Sequence, residues 1–125
     1  MIKRCVVVLD WPAPELFPNR SNGKHWGVRQ PFKLSAKQAA AIATFNTGAD
    51  IGDVMIDHTV TIIIEPPDNR RRDVDGVLSA LKPSLDGIAA TLQIDDERFN
   101  PVLLVRKAPV DGGRITIIVE DSIPF

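Results

Sequence analysis

The stretch Val60-Thr61-Ile62-Ile63-Ile64-Glu65, closed by Pro66-Pro67-Asp68-Asn69, decides the fold together with the helical pattern that follows it. Its first part is largely β-branched and apolar on both faces, as a strand in the middle of a sheet must be. We place that strand over residues 54–65. Proline cannot donate to a strand ladder, and Asp and Asn favour turns, so the strand stops firmly. The apolar period then changes from two to 3.6. Val77, Leu78, Leu81, Leu85, Ile88, Ala89 and Leu92 form one stripe, predicting a helix from near Asp75 to about Thr91. Pro83 removes the hydrogen bond to the carbonyl of Ser79 and disfavours helical geometry at Lys82, so a kink or broken turn is expected there.

Working outward, residues 2–10 read as a strand. Residues 11–34 read as a long irregular segment carrying Trp11, Pro12, Pro14, Pro18, Asn19, Arg20, Lys24, His25 and Trp26. A loop of that length in a small domain is usually functional or disordered. Ser35 is expected to open an alanine-rich helix over 35–46, with Gly48 just past its end. Ala36, Ala39, Ala40, Ala43 and Phe45 would face the sheet. Val102–Arg106 and Ile115–Glu120 read as two further strands, and Asp111-Gly112-Gly113 between them as a hairpin. The order β-α-β-α-β-β predicts an α/β (α+β) fold: one domain over 1–125, a mixed sheet of about four strands and two main helices packed on it.

A chain of 125 residues is long enough for one domain with a real core. With 44% hydrophobic and 25% charged residues, it carries no disorder signature. The single cysteine, Cys5, excludes an internal disulfide framework and a cysteine zinc cluster, and reads as a small buried hydrophobe. No secretory leader and no membrane-length apolar run is present, so a soluble cytoplasmic protein is expected. A formal net charge of −1 leaves nucleic acid open as a partner, since association depends on where the charge lies. No phosphate-binding P-loop, GxSxG elbow or His-Glu-x-x-His motif occurs, which removes several enzyme classes.

The densest chemistry is Arg70-Arg71-Arg72-Asp73-Val74-Asp75, followed by Asp95-Asp96-Glu97. Arginine forks bind phosphate oxygens bidentately, and carboxylates can hold a hard divalent cation. Spaced i, i+2 on an extended segment, Asp73 and Asp75 point to one side. We place Asp73 on the extended approach and Asp75 at the helix cap, where the positive helix end favours a carboxylate or a phosphate. Taken alone, such a pair is more often a cap beside a solvated charge. Asp95 and Asp96 are adjacent, so only one of them would reach a shared site. A helix of about 17 residues spans ~25 Å, so this pair returns to Asp73 only if the chain folds back along the helix or a partner subunit supplies it. Ser79 and Lys82 fall on roughly the face of Asp75. Lys82 could stabilise charge developing on a phosphate or simply extend into solvent. His25, between Lys24 and Trp26, is a candidate general base or contact group.

In this order, Arg70 to Asp75, Leu81-Lys82-Pro83-Ser84-Leu85-Asp86-Gly87, Ile94-Asp95-Asp96-Glu97 and Lys107-Ala108-Pro109-Val110-Asp111-Gly112-Gly113-Arg114 resemble the RusA family of Holliday junction resolvases. Trp11-Pro12-Ala13-Pro14 with Pro18-Asn19 is a looser likeness to the family's entry segment. The resemblance implies a small homodimeric crossover junction endodeoxyribonuclease, bacterial or phage-encoded, that resolves four-way junction DNA by symmetric paired nicks in recombination and repair. It further implies Mg²⁺, for which Mn²⁺ can substitute, no organic cofactor and no membrane association. By position, Asp73, Asp75 and Asp96 match the family's metal-binding catalytic carboxylates, and Lys82 its catalytic lysine. Arg70, Arg71 and Arg72, with Arg20, Lys24 and Lys107, make up the expected nucleic-acid contacts. Asp95, His25 and Ser79 are auxiliary candidates. Two departures stand out: Gly76 replaces the usual asparagine, and the interval from Asp75 to Lys82 is about one turn longer, with Ser79 at the usual lysine spacing. The competing readings are a non-catalytic branched-DNA-binding module and a less selective metal-dependent branch or flap nuclease.

Overall fold

β2 (His58–Glu65) is an interior strand, paired antiparallel with β4 (Arg114–Asp121) on one side and parallel with β3 (Phe99–Arg106) on the other. β1 (Arg4–Leu9) pairs antiparallel with β4, giving the order β1-β4-β2-β3. Helices α1 (Trp26–Asn46) and α2 (Val74–Leu92) cover one face, so the expected mixed four-stranded sheet with two helices is present. The computed structural model describes residues 3–18 and 26–122, with the backbone alone at 26–28.

Strand alternation sorts the side chains. Cys5, Val7, Val60, Ile62, Ile64, Ile115, Ile117 and Val119 are buried and meet Ala40 of α1 and Val77, Leu81, Leu85 and Ile88 of α2 in one core. The expected apolar stripe of α2 is therefore its buried face, with Leu78 left at the exposed margin. The helix continues unbroken through Pro83, so packing holds the turn that local geometry weakens.

Three expectations are corrected. The first concerns α1, which begins at Trp26 rather than Ser35, running through Pro31 at the loss of one helical hydrogen bond. Its buried positions are Ala40 and Thr44, one turn apart; Ala39 and Phe45 lie off that face, and Phe45 is 78% exposed. Strand β2 likewise starts later, at His58, because Asp53 accepts from the backbone N–H of Met55 and turns the chain first. The third correction is to the sheet: β3 and β4 do not form a hairpin. β2 lies between them, and residues 107–113 pass over its end. Lys107 donates its N–H to the carbonyl of Ile64 (2.9 Å), and Val110 to that of Pro66 (2.9 Å). The Asp111-Gly112 turn is real, but it joins strands one place apart.

His58 is fully buried at the start of β2, its Nδ1 2.9 Å from the carbonyl of Ile56 and its Nε2 3.3 Å from Asp121, not aligned for a hydrogen bond. Among the described residues no helix is long and apolar enough to cross a membrane.

The two helices meet at Gly87, where an added Cβ would run into the backbone carbonyl of Lys37. Gly87→Ala should therefore force α1 and α2 apart and lower stability by about 1–3 kcal/mol, as overpacking does. Chemical denaturation would measure this; an unchanged midpoint would show that the crossing has room.

Candidate functional site

One carboxylate shapes the connection from β2 to α2. Asp68 accepts from the backbone N–H of Arg70 (2.9 Å), from Nη2 of Arg70 (3.1 Å) and from Nη2 of Arg72 (2.8 Å). These bonds hold its carboxyl down to about 2 from an ordinary 3.8, the backbone N–H of Arg70 contributing most and the Arg72 guanidinium next. Arg72 also donates Nη1 to the carbonyls of Asp68 (3.1 Å) and Arg70 (3.0 Å), and lies 5.3 Å over the ring of Trp11. From the other side, Arg106 donates to the carbonyl of Arg72 (2.8 Å).

The three arginines thus have different situations. Arg72 is committed to the loop and only 17% exposed. Arg70 shares Asp68 yet remains 82% exposed. Arg71 is exposed and makes no ion pair or side-chain hydrogen bond with a described residue. Behind the loop, Arg70, Arg106 and Lys107 border a second, small cavity of about 150 Å³.

Above the loop opens a cavity of about 1180 Å³. Asp73, Asp75, Gly76 and Ser79 from the start of α2 form one wall, with Arg70 and Arg71 beside them. Asp73, rather than Asp75, is the helix N-cap, and Asp75 sits in the first turn. An N-cap aspartate normally accepts from a helix N–H. The side chain of Asp73 makes no such bond, and neither carboxylate is paired with a described residue. Two hard oxygen ligands are therefore uncommitted at the positive end of a helix. Gly76 is not there for space, since an added Cβ would meet only the Cβ of Asp73 at 3.8 Å.

Another part of the lining is apolar. Trp11 and Phe17 stack with centroids 6.2 Å apart and planes at 23°. A 3-10 turn at Pro14–Leu16 presents Phe17, anchored by buried Leu16 and by the bond from Phe17 N–H to the carbonyl of Pro14. Behind Trp11 lies Gly113. Its φ of +74° and the 2.9 Å that would separate an added Cβ from that of Trp11 both require glycine. This glycine was legible as a turn residue; its role as the seat of Trp11 was not.

The third expected carboxylate has other company. Lys82 Nζ donates to Asp96 (3.0 Å) and to Asp86 (3.1 Å), so the chain after α2 does fold back along the helix. Asp96 first, then Asp86, raises the Lys82 ammonium above its ordinary range, while Lys82 holds the Asp96 carboxyl below its own. Both are charged at neutral pH. Asp95 caps the short 3-10 helix Asp96–Arg98 by accepting from the N–H of Glu97 (3.1 Å). Neither Lys82 nor Asp96 lines the cavity, and among the described residues no three His, Cys, Asp or Glu side chains are grouped closely enough to hold a metal. The Asp73–Asp75 pair does fit a hard cation such as Mg²⁺, which takes one or two carboxylates and completes its shell with waters and substrate phosphate oxygens. Arg20, Lys24 and His25 lie outside the described residues.

Asp68, Asp86 and the Trp11–Phe17 wall escaped sequence reading. Asp68 had a local signal, a carboxylate two residues before a turn N–H, and Asp86 another, its i+4 spacing from Lys82. The residues of the wall lie close together, from Trp11 to Pro18; what had no signal is their seat, because Arg72 and Gly113 are distant in sequence.

No protein-family model matches the chain. A crossover junction endodeoxyribonuclease, RusA, of Enterobacteria phage HK97 is 39% identical over 62 residues, covering 50% of this chain and 50% of that protein. The match thus spans half the length of the phage protein. An uncharacterised protein of Xylella fastidiosa (strain Temecula1 / ATCC 700964) is 29% identical over 115 residues, covering 90% of this chain and 74% of its own length. The similarity supports a RusA-like relationship over part of the chain.

Because the folded Asp68 carboxyl lies below its unfolded value of 3.8, its stabilising contribution is complete above that value and fades as pH falls toward about 2. Asp68→Asn should melt below the native protein at neutral pH, and the gap should close across that acid window. A gap independent of pH would mean that the charge of Asp68 is not what holds the loop.

Proposed function

We propose that this protein is a divalent-metal-dependent endodeoxyribonuclease that resolves four-way DNA junctions by paired nicks, in a bacterial or phage recombination and repair setting. The cavity carries this reading: unpaired Asp73 and Asp75 stand beside exposed Arg71 at a helix N-terminus. Its likeness to the phage HK97 crossover junction endodeoxyribonuclease supports the same reading.

Arg71 holds a phosphate flanking the scissile bond, with Arg70, Lys107 and, on the segment before α1, Arg20 and Lys24 extending the backbone contacts. These set register without reading bases. Asp73 and Asp75 would hold Mg²⁺, or Mn²⁺ in its place, at the scissile phosphate. When bound, the cation supplies Lewis-acid polarisation of the phosphoryl oxygen and a lowered pKa for water. Asp96 would be the third carboxylate of the set; Lys82 holds it outside the lining of the cavity. Lys82 lies seven residues beyond Asp75, about 10 Å along the helix axis. Its ammonium serves the charge that develops on the leaving oxygen.

The chain works as a homodimer in this reading, since a twofold dimer suits a twofold junction and brings two sites to two strands. The uncovered face of the sheet is the surface for the second copy. Val6, Ile118, Thr61 and Leu103 form one row across all four strands, and Val8, Thr116, Ile63 and Val105 the next. Val8 is 57% and Leu103 48% exposed. Four strands at ~4.8 Å by eight residues at ~3.3 Å make about 500 Å² of projected face, the order that each partner of a standard complex buries.

The Asp96–Lys82 pair favours one rival reading, a branched-DNA-binding module without cleavage. Titrating Mg²⁺ against a labelled four-way junction separates the two, and running a fork and a linear duplex alongside reveals a less selective nuclease. Asp75→Asn should lose Mg²⁺-dependent cleavage by at least about a hundredfold while still binding the junction; near-native cleavage would remove Asp75 from the metal site. For the dimer, sedimentation of the native chain should give a twofold species that Val8→Lys with Leu103→Lys converts to monomer. A native chain that sediments as a monomer would discard the sheet-face interface.

A further inference from the structure

The aromatic part of the cavity lining has nothing to offer a phosphate. It consists of two stacked aromatic rings with Pro12, Pro14, Pro18 and Pro67 around them. A flat group with an apolar face, attached to a phosphate that reaches Arg71, would complement both walls at once. In nucleic acid that group is the base. Bases within a continuous duplex are covered above and below by their neighbours, so the occupant must be a base already out of its stack.

We propose that the Trp11–Phe17 wall receives an unstacked nucleobase from the strand whose phosphate meets Arg71. The inference rests on the nucleic-acid reading above and deepens it: an open branch point supplies such a base and an intact duplex does not. The volume agrees, since about 1180 Å³ exceeds what one phosphate fills and reaches the size of sites that enclose whole organic ligands. The wall is also built before any ligand arrives. Arg72 lies over the Trp11 ring, Gly113 closes against its Cβ, and the Pro14–Leu16 turn fixes Phe17 beside it. Little ordering remains for binding to supply. Stacking on an aromatic platform tolerates any base, so this subsite selects branch geometry rather than sequence.

The test compares two single-stranded probes of equal length and charge, oligothymidylate and its abasic deoxyribose-phosphate counterpart, by fluorescence anisotropy in Mg²⁺ buffer. The native protein should bind the base-bearing probe about tenfold more tightly. Phe17→Ala should bring it down to the abasic level, and Phe17→Tyr, with native thermal stability, should keep the preference. Arg71→Ala should weaken both probes alike, because it acts on phosphate. Equal binding of the two probes by the native protein would overturn the proposal, as would a preference that survives Phe17→Ala. If neither probe binds while a four-way junction is still cut, the base subsite falls and the nuclease reading stands. If the junction is neither bound nor cut, both fall together.

Discussion

Everything at the candidate site depends on the clamp between Asp68 and Arg72. Charge-assisted hydrogen bonds are the stronger kind, and here several converge within five residues. Together they close the chain into a tight loop between the end of β2 and the first turn of α2. Just beyond the loop, the side chain of Asp73 does not cap the helix, and its oxygens stay available. The clamp is also a junction in space. Through Trp11 it reaches the amino-terminal segment, and through Arg106 the end of β3. Arg72, which looks like a phosphate ligand in the sequence, is committed to building this loop.

The sheet topology explains why the cavity lies where it does. β2 runs out at Pro66-Pro67, and from its carboxyl end the chain leaves toward α2 while residues 107–113 cross over the top. In open α/β sheets such divergence beyond strand ends is where ligand crevices form. Cross-strand Arg114 and Glu65 pin the same edge, bonding at 2.8 and 2.9 Å. Gly113 then lets this crossing segment press against Trp11 and Pro67 without a side chain between them. The apolar wall is therefore a product of the strand order as much as of its own residues.

Periodicity made the element types legible. The β2 segment and the stripe of α2 announce themselves because burial repeats every two or 3.6 residues. Pairing was less legible. The Gly112-Gly113 turn reads as a hairpin because nothing local reveals a third strand between its arms. The start of α1 was hidden by a local preference: Ser35 resembles a cap, yet the helix is already under way at Trp26. At the site, Asp73, Asp75 and Arg71 could be named from spacing, and all three line the one cavity. The partnership of Lys82 with Asp96 could not, since it depends on the chain doubling back after Gln93, whose left-handed backbone ends α2.

The position of β4 between β1 and β2 has a consequence for how the molecule assembles. Arg4 bonds Glu120 at a sequence separation of 116, and β1 pairs with no other strand. The two oldest strands on a growing chain are thus strangers until the last one is inserted between them. Closing so long a loop delays its reward, and sheets dominated by distant pairings fold slowly for that reason. The packed pair of α1 and α2, which meet at Gly87, is built from segments nearer in sequence. Until β4 arrives, the inner edge of β1 and one edge of β2 are bare and adhesive, so the final strand acts as keystone and sealant together.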